Sequence, residues 1–176
     1  MKILKVIGIA LGTIIALFLL VAAFLPSTYK VERTTEFKLP VDSVYDYVAD
    51  LNNFAKWNAW SLMEPDKIKI SVTGNGKDVG SAYAWEGEKT GQGKMTTTAV
   101  DQGKYLEYKM NFYKPMEGEA KTYWNFQSSA TGTKATWVNE GPLSYPIGRY
   151  FGLGMDKMLG DSFEKSFANL KAQIEK

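Results

Sequence analysis

The longest uninterrupted hydrophobic run in the chain covers residues 6–25 and reads VIGIALGTIIALFLLVAAFL. It contains no charged residue, and Thr13 is its one polar side chain. A helix of this length, rising ~1.5 Å per residue, is ~30 Å long and matches the hydrocarbon thickness of a bilayer. The run also lacks the polar face that a surface helix of a soluble domain carries. The pattern therefore predicts one transmembrane helix, with residues 1–28 as a membrane anchor.

The flanks of this run distinguish an anchor from a cleaved signal peptide. A signal peptide has ~7–15 apolar residues followed by a small-x-small cleavage site. Here the run is longer, and residues 22–25 (AAFL) provide no such site before the polar region. We predict an uncleaved anchor, with a cleaved signal as the alternative. Lys2, Lys5 and the amino terminus precede the run, and Lys30 and Arg33 follow it. This small difference favours a cytoplasmic N-terminus, with the domain outside.

Polar residues become frequent after the anchor, and the spacing of apolar residues predicts a strand followed by two short helices. Residues 29–39 mix polar with β-branched residues, which is typical of a strand. From Pro40 to Leu51 the apolar residues recur at helical spacing, and proline suits the first turn of a helix. A second short helix is predicted over residues 54–63, with its two tryptophans on one face.

Beyond residue 65 the spacing of apolar residues changes from 3.6 to 2. The clearest case is residues 104–113, where every second residue from Leu106 to Phe112 is large and apolar. Segments containing glycine separate the alternating stretches and predict turns. Six strands are predicted, over residues 67–72, 81–88, 94–100, 104–113, 120–127 and 134–140. Short turns between successive strands indicate an antiparallel meander.

Helical spacing returns at about Tyr150 and continues to the end of the chain. Its apolar stripe consists of Met155, Leu159, Phe163, Phe167, Leu170 and Ile174. Gly152, Gly154 and Gly160 weaken the first half of this helix, by ~1 kcal/mol each relative to alanine. We therefore predict that this half is bent or mobile.

Together these elements predict an α+β fold over residues 29–176. A curved antiparallel sheet of seven strands wraps around the long C-terminal helix, and two short helices follow the first strand. A sheet with this curvature can leave a cavity between its concave face and the helix.

Composition narrows the possible functions. The chain has 21 Lys and Arg against 19 Asp and Glu, and the two extra cations, Lys2 and Lys5, lie in the anchor, residues 1–28. The remainder is formally neutral, which argues against nucleic-acid binding. Histidine and cysteine are absent, so Ser-His-Asp and thiol catalysis and the commonest zinc ligands are excluded. No cofactor or metal is predicted.

Several short motifs, in order along the chain, resemble the SRPBCC superfamily and its bacterial polyketide-cyclase-like branch. They are Leu39–Tyr45 (LPVDSVY), Trp57–Ser61 (WNAWS), Gly80–Gly87, Gly91–Met95 (GQGKM), Lys114–Gly118 (KPMEG), Gly132–Trp137 (GTKATW) and Asp161–Leu170. The resemblance covers residues 29–176 and implies the helix-grip fold of START and polyketide cyclase/dehydrase-like proteins. It also implies a cavity for hydrophobic ligands. It identifies no catalytic residue, because these differ between cyclase branches.

Large side chains on the predicted concave face are the candidate ligand-binding residues. They are Trp60, Trp85, Tyr108, Met110, Trp124, Trp137 and Met155. Aromatic rings stack on flat or lipidic ligands, and methionine adapts to irregular apolar shapes. The alternative is that these side chains fill the core between sheet and helix. Glu86 and Glu119 are interpreted as solvated carboxylates, and the Asp46/Asp50 pair is not expected to bind a metal.

Three functional hypotheses follow. The leading one is a single-pass protein of the bacterial inner membrane whose cavity binds a lipid or other hydrophobic small molecule. The second is a cyclase- or dehydratase-like enzyme, which requires a proton-transfer group inside the same cavity. The third is a ligand-free protein-interaction domain whose rings fill all the internal space.

Overall fold

The computed structural model describes residues 2–176 and has an apolar helix followed by one α+β domain. Helix α1 covers Lys2–Phe24, and only Ala22 in it is buried. It is long and apolar enough to cross a membrane, a property that a signal sequence near the N-terminus shares. The remaining helices are α2 (Val41–Ala49), α3 (Leu51–Trp57) and α4 (Ile147–Ile174), and a 3₁₀ turn covers Ser61–Met63.

The predicted seven-stranded antiparallel sheet is confirmed. Its strands are β1 (Thr28–Phe37), β2 (Lys69–Thr73), β3 (Ala82–Gly87), β4 (Gly91–Asp101), β5 (Tyr105–Lys114), β6 (Gly118–Ser129) and β7 (Gly132–Pro142). The sheet order is β1-β7-β6-β5-β4-β3-β2. Strands β2 to β7 thus form a meander, and β1 pairs with β7, with Thr28 opposite Pro142. The helix-grip α+β fold is therefore as predicted.

The second short helix differs from its prediction. Helix α3 begins earlier because the Asp50 carboxylate accepts a hydrogen bond from the Asn52 N–H, at 3.0 Å. It ends at Trp57, since Asn58 is extended and its side-chain oxygen accepts from the N–H of Trp60, at 3.1 Å. The prediction that the two tryptophans share a helical face is therefore wrong. Trp57 is fully buried in the core, whereas Trp60 lies outside the helix.

The glycines of α4 allow close packing, and they do not interrupt the helix. Helix α4 is continuous over 28 residues and begins three residues before the predicted start. A Cβ at Gly152 would overlap the Leu143 side chain, and one at Gly160 would overlap the Arg33 guanidinium. Arg33 in turn donates to the Asp156 carboxylate at 3.0 Å, which joins β1 to α4. The helix is therefore uninterrupted at these glycines, and a bend or mobility of its first half stays a prediction.

A cluster of stacked aromatic rings forms the centre of the core. Trp124 stacks on Trp137 with ring centroids 4.7 Å apart, and Trp137 stacks on Phe163 of α4 at 4.0 Å. Trp57 and Phe167 approach Trp124 edge-on, at 5.9 and 5.8 Å. Rings from α3, the sheet and α4 therefore meet in one contiguous cluster.

Arg149, in the first turn of α4, contacts the carboxyl end of α1. The Arg149 guanidinium donates to the carbonyl oxygens of Ala22 and Ala23, at 3.0 and 3.1 Å. These carbonyls lie in the last turn of α1, where they have no partner within the helix and carry the negative end of its dipole. Arg149 thus caps α1 and fixes its position relative to the domain.

A buried carboxylate organises the turn between β3 and β4. Glu64 accepts hydrogen bonds from the backbone N–H groups of Glu88, Lys89 and Thr90 and from the Thr90 hydroxyl, all between 2.8 and 3.1 Å. Burial opposes ionisation of Glu64, but these hydrogen bonds together outweigh it and hold its pKa below the ordinary value. The ionised carboxylate therefore stabilises this turn.

We expect Glu64→Gln to lower the melting temperature, by an amount that depends on pH. The folded-state pKa lies below the unfolded value near 4.5, so ionisation stabilises the fold above that pH. This stabilisation is lost as the pH falls through the lower, folded-state pKa. The difference in melting temperature between wild type and variant should therefore be largest near pH ~7 and shrink toward pH ~3. Thermal unfolding followed by circular dichroism measures it. Glu117→Gln, at an exposed carboxylate, is the control, and an equal effect of both substitutions would contradict this assignment.

Candidate hydrophobic ligand cavity

A cavity of about 250 Å³ lies between the concave face of the sheet and α4. Its apolar lining consists of Phe54, Trp60, Ile68, Trp85, Met95, Met110, Phe112, Trp137, Met155, Met158, Leu159 and Phe163. Its polar lining consists of Tyr29, Asn58, Ser61, Tyr83, Thr90, Thr122 and Asn139. The volume is just below the ~300–1,000 Å³ typical of ligand pockets. The volume of the cavity alone therefore does not identify a ligand site, and the chemistry of the lining residues is the stronger indication of function.

Five of the seven predicted binding residues line this cavity, and two do not. The five are Trp60, Trp85, Met110, Trp137 and Met155. Tyr108 and Trp124 lie in the core beside it and are 3% and 1% exposed. Both have the predicted inward orientation, but other rings and α2 cover that part of the sheet. Phe126 stacks on Trp124 at 5.8 Å, and Tyr45 of α2 meets the edge of Phe126.

Four methionines give the cavity an adaptable wall. Met95 and Met110 face each other across β4 and β5, and Met155 and Met158 approach from α4. Unbranched thioether side chains change rotamer at small cost. The cavity can therefore adjust its shape, and enlarge, around an apolar guest.

One polar pair, Tyr29 and Asn139, spans β1 and β7 in the wall of the cavity. The Tyr29 hydroxyl donates to the Asn139 side-chain oxygen at 2.7 Å. Within residues 2–176, the acceptor for the Asn139 amide N–H₂ group is the Met110 sulfur, at 3.4 Å. A thioether is a weak acceptor. The Asn139 amide is therefore a donor with capacity left for an oxygen atom inside the cavity.

The hydroxyl groups of the wall are paired within the protein. The Trp137 indole N–H donates to the Thr122 hydroxyl at 2.7 Å, and Thr122 donates to the Val138 carbonyl at 2.8 Å. The hydroxyls of Ser61 and Tyr83 share a hydrogen bond of 3.0 Å. With these hydroxyls paired, the wall presents mainly aromatic and apolar surface, together with the side-chain amides of Asn58 and Asn139.

The ionisable groups that line the described cavity are two tyrosines. Burial raises the pKa of Tyr29 to about 12 and also raises the pKa of Tyr83. Both phenols are therefore protonated at neutral pH, and the Tyr29 hydroxyl donates to Asn139. None of the residues lining this cavity within the described range 2–176 is Asp, Glu, Lys or Arg. The site suits recognition of a neutral apolar molecule better than proton abstraction.

The sequence analysis missed the polar pair, although a signal for one member was present. Asn139 follows Trp137 by two positions on β7, so alternation places both on the concave face. A polar residue on an otherwise apolar face is a candidate orienting group. Tyr29 gave no such signal, because the pairing of β1 with β7 depends on the tertiary fold.

Comparison with known proteins identifies the family. The family described as polyketide cyclase, dehydrase and lipid transport matches residues 28–175. The chain belongs to this family. Membership agrees with the apolar lining and supports a domain that binds hydrophobic ligands. A comparison with curated proteins finds no match.

Solved structures share the fold at low sequence identity. Protein CV1439 from Chromobacterium violaceum is 21% identical, with a TM-score of 0.56, over 86% of this chain and 99% of that one. SA2116 from Staphylococcus aureus, described as a protein of unknown function, is 14% identical, with a TM-score of 0.61, over 85% and 97%. The di-domain ARO/CYC StfQ of the steffimycin biosynthetic pathway is 10% identical, with a TM-score of 0.66, over 85% and 51%. This family domain thus has the architecture of a cyclase domain, and at these identities the similarity concerns the fold alone.

Proposed function

We propose that the chain is a membrane-anchored binding protein for a lipid or another hydrophobic small molecule held in the cavity. The observation that carries the proposal is an apolar, methionine-rich cavity whose wall holds two side-chain amides, Asn58 and Asn139. Of these, Asn139 has a thioether as the acceptor for its N–H₂ group within residues 2–176. An acyl chain or fused-ring skeleton fits the aromatic and methionine walls. A carbonyl or hydroxyl oxygen on that molecule accepts from Asn139. The five lining residues Trp60, Trp85, Met110, Trp137 and Met155 provide the apolar contacts.

Helix α1 is the anchor in this proposal, with residues 6–25 in the membrane. Its contacts with the domain support retention over cleavage, because removal of α1 would leave Arg149 without its carbonyl partners Ala22 and Ala23. Lys2 and Lys5, which precede the apolar run within α1, support a cytoplasmic N-terminus and a domain outside the bacterial inner membrane. The anchor keeps the cavity close to the bilayer, where hydrophobic molecules are concentrated.

Photochemical labelling tests the proposal on the full-length chain. The protein is placed in phosphatidylcholine vesicles that contain a fatty acid with a diazirine on its acyl chain. After irradiation, labelled peptides are identified by mass spectrometry. We expect label on β5, around Met110 and Phe112, as well as on α1. Label on α1 arises from bulk lipid, so it serves as an internal reference within the same molecule.

A cavity-filling variant distinguishes binding in the cavity from surface labelling. Met110→Trp adds a ring inside the cavity and should abolish label on β5 while leaving label on α1. Tyr123→Trp is the matched control, because Tyr123 lies on the opposite face of the neighbouring strand β6. It should label like wild type. Label confined to α1 in the wild-type protein would contradict the proposal.

A further inference from the structure

The first turns of α4 expose an unusual number of large apolar side chains. Ile147, Phe151 and Leu153 are 58%, 57% and 69% exposed. Between Ile147 and Met155 the only charged residue is Arg149. Ile147 and Phe151 share one face of α4, and Leu153 lies on the opposite face, so these first turns expose apolar side chains all round the helix. We call Ile147, Phe151 and Leu153 the α4 patch. A helix that is apolar all round is normally surrounded by another apolar phase.

The carboxyl end of α1 lies directly beside this patch. The Tyr150 hydroxyl donates to the Phe18 carbonyl at 2.7 Å, and the two rings stack with centroids 4.5 Å apart. The Tyr145 hydroxyl donates to the Leu19 carbonyl at 3.0 Å. Phe18 lies six residues before Phe24, the last residue of α1, and at ~1.5 Å per residue this is ~9 Å along the helix. The start of α4 is therefore level with the last two turns of the apolar helix.

This level corresponds to the interface of a bilayer that α1 spans. A helix lying in the interface buries its apolar face ~5–10 Å into the boundary between headgroups and acyl chains. Tyrosine is enriched at that depth, and arginine reaches from it toward water with its charged end. Tyr145, Arg149 and Tyr150 are the residues that meet α1 here. Both the residue types and their position along α1 therefore indicate the membrane interface.

From this arrangement we propose that the α4 patch inserts into the membrane interface and seats the domain on the bilayer. The proposal rests on the membrane anchoring by α1 proposed above and adds a second contact with the lipid. The patch contacts lipid at the boundary between headgroups and acyl chains.

The patch also continues into the wall of the cavity. On α4, Phe151 is followed at helical spacing by Met155 and Met158, which line the cavity, and Met158 is itself 47% exposed. A patch seated in the interface therefore places this side of the cavity at the lipid surface. An acyl chain can pass from the bilayer along the methionines into the cavity with little contact with water.

Spin labels on the full-length chain test the seating. The chain has no cysteine, so each introduced cysteine carries the single nitroxide label. Phe151→Cys and Leu153→Cys report on the patch, and Leu11→Cys reports on the middle of α1. Thr131→Cys, in the exposed turn between β6 and β7, is the water-exposed reference. The protein is placed in vesicles of phosphatidylcholine with a minor fraction of phosphatidylglycerol. Power saturation measures access of oxygen and of a water-soluble nickel complex to each label.

We expect the labels at 151 and 153 to be less accessible to the nickel complex, and more accessible to oxygen, than the label at 131. Their depth in the bilayer should be shallower than that of the label at position 11. Adding Ile147→Asp to the Leu153→Cys chain should restore nickel accessibility at 153 and leave position 11 deep. Because Ile147 is exposed in the fold, this substitution should not alter thermal unfolding.

Each other outcome overturns the proposal in a distinguishable way. If position 11 is deep but 151 and 153 resemble 131, the seating is wrong and the anchoring by α1 stands. If both patch labels are shielded from nickel and from oxygen, a protein partner covers the patch instead of lipid. If position 11 is as accessible to nickel as 131, the proposed anchoring fails and the seating fails with it.

Discussion

Replacing Trp124 by alanine is expected to lower the free energy of unfolding by about 3–5 kcal/mol. Trp124 is 1% exposed and stacks on Trp137, with Trp57 and Phe167 against its edges. Its removal leaves a void among rigid rings that cannot collapse into the space. Chemical denaturation of the full-length protein in mild detergent, followed by near-ultraviolet circular dichroism, measures the loss. It is a large part of the ~5–15 kcal/mol total typical of single domains.

Comparing Trp124→Ala with Trp85→Ala distinguishes a core tryptophan from one that lines the cavity. Trp85 is only partly buried and faces the cavity, so its removal enlarges a space that already exists. We expect a clearly smaller loss of stability, together with weaker fatty-acid labelling of β5. If Trp85→Ala proved the more destabilising of the two substitutions, the division between core and cavity described here would be wrong.

Asn139→Asp is expected to destabilise the fold at neutral pH and much less in acid. The substitution preserves shape but places a carboxyl group in an apolar wall, where burial raises its pKa above the unfolded value of ~3.9. Below that pH the group is protonated in both states and carries no penalty. The penalty grows as pH rises and is complete above the folded-state pKa, reaching about 3 kcal/mol for a shift of about two pKa units. Denaturant unfolding at several pH values measures it.

Asn125→Asp provides the matched control for this experiment. Asn125 lies exposed on β6, so its carboxylate would stay hydrated. The stability of this variant should follow that of the wild type across the same pH range. A penalty at Asn139→Asp that did not change with pH would show that the loss comes from the Tyr29 hydrogen bond alone, and not from a buried charge.

The fold was predictable because each element has a strong local signal. Alternation along residues 104–113 and glycine-containing turns between segments are properties of neighbouring residues, and they predicted β2 to β7 in the observed order. The ends of helices were less predictable. Helix α3 is shifted because of side-chain caps at Asp50 and Asn58, and α4 begins at Ile147, three residues before its apolar spacing indicated.

The cavity was only partly predictable because period-2 alternation shows which face a residue occupies, and not what covers that face. Tyr108 and Met110 are both inward on β5, yet only Met110 reaches the cavity. The Tyr29 and Asn139 pair joins strands at opposite ends of the domain sequence. The contact of Arg149 with α1 uses backbone carbonyls, which every residue possesses. No side-chain pattern in the sequence indicates such a partner.

The pairing of β1 with β7 has a consequence for the order in which the molecule forms. Tyr29 and Asn139 are 110 positions apart, and closing a loop of that length is slow compared with forming the hairpins of the meander. Strand β1 therefore stays unpaired until residues 132–142 have been synthesised and have joined the sheet. While α4 is still being synthesised, α1 is therefore complete, but the cavity lacks the walls that α4 and the β1–β7 pair supply. The wall of the cavity that contains Tyr29 and Asn139 is complete only when β1 closes the sheet.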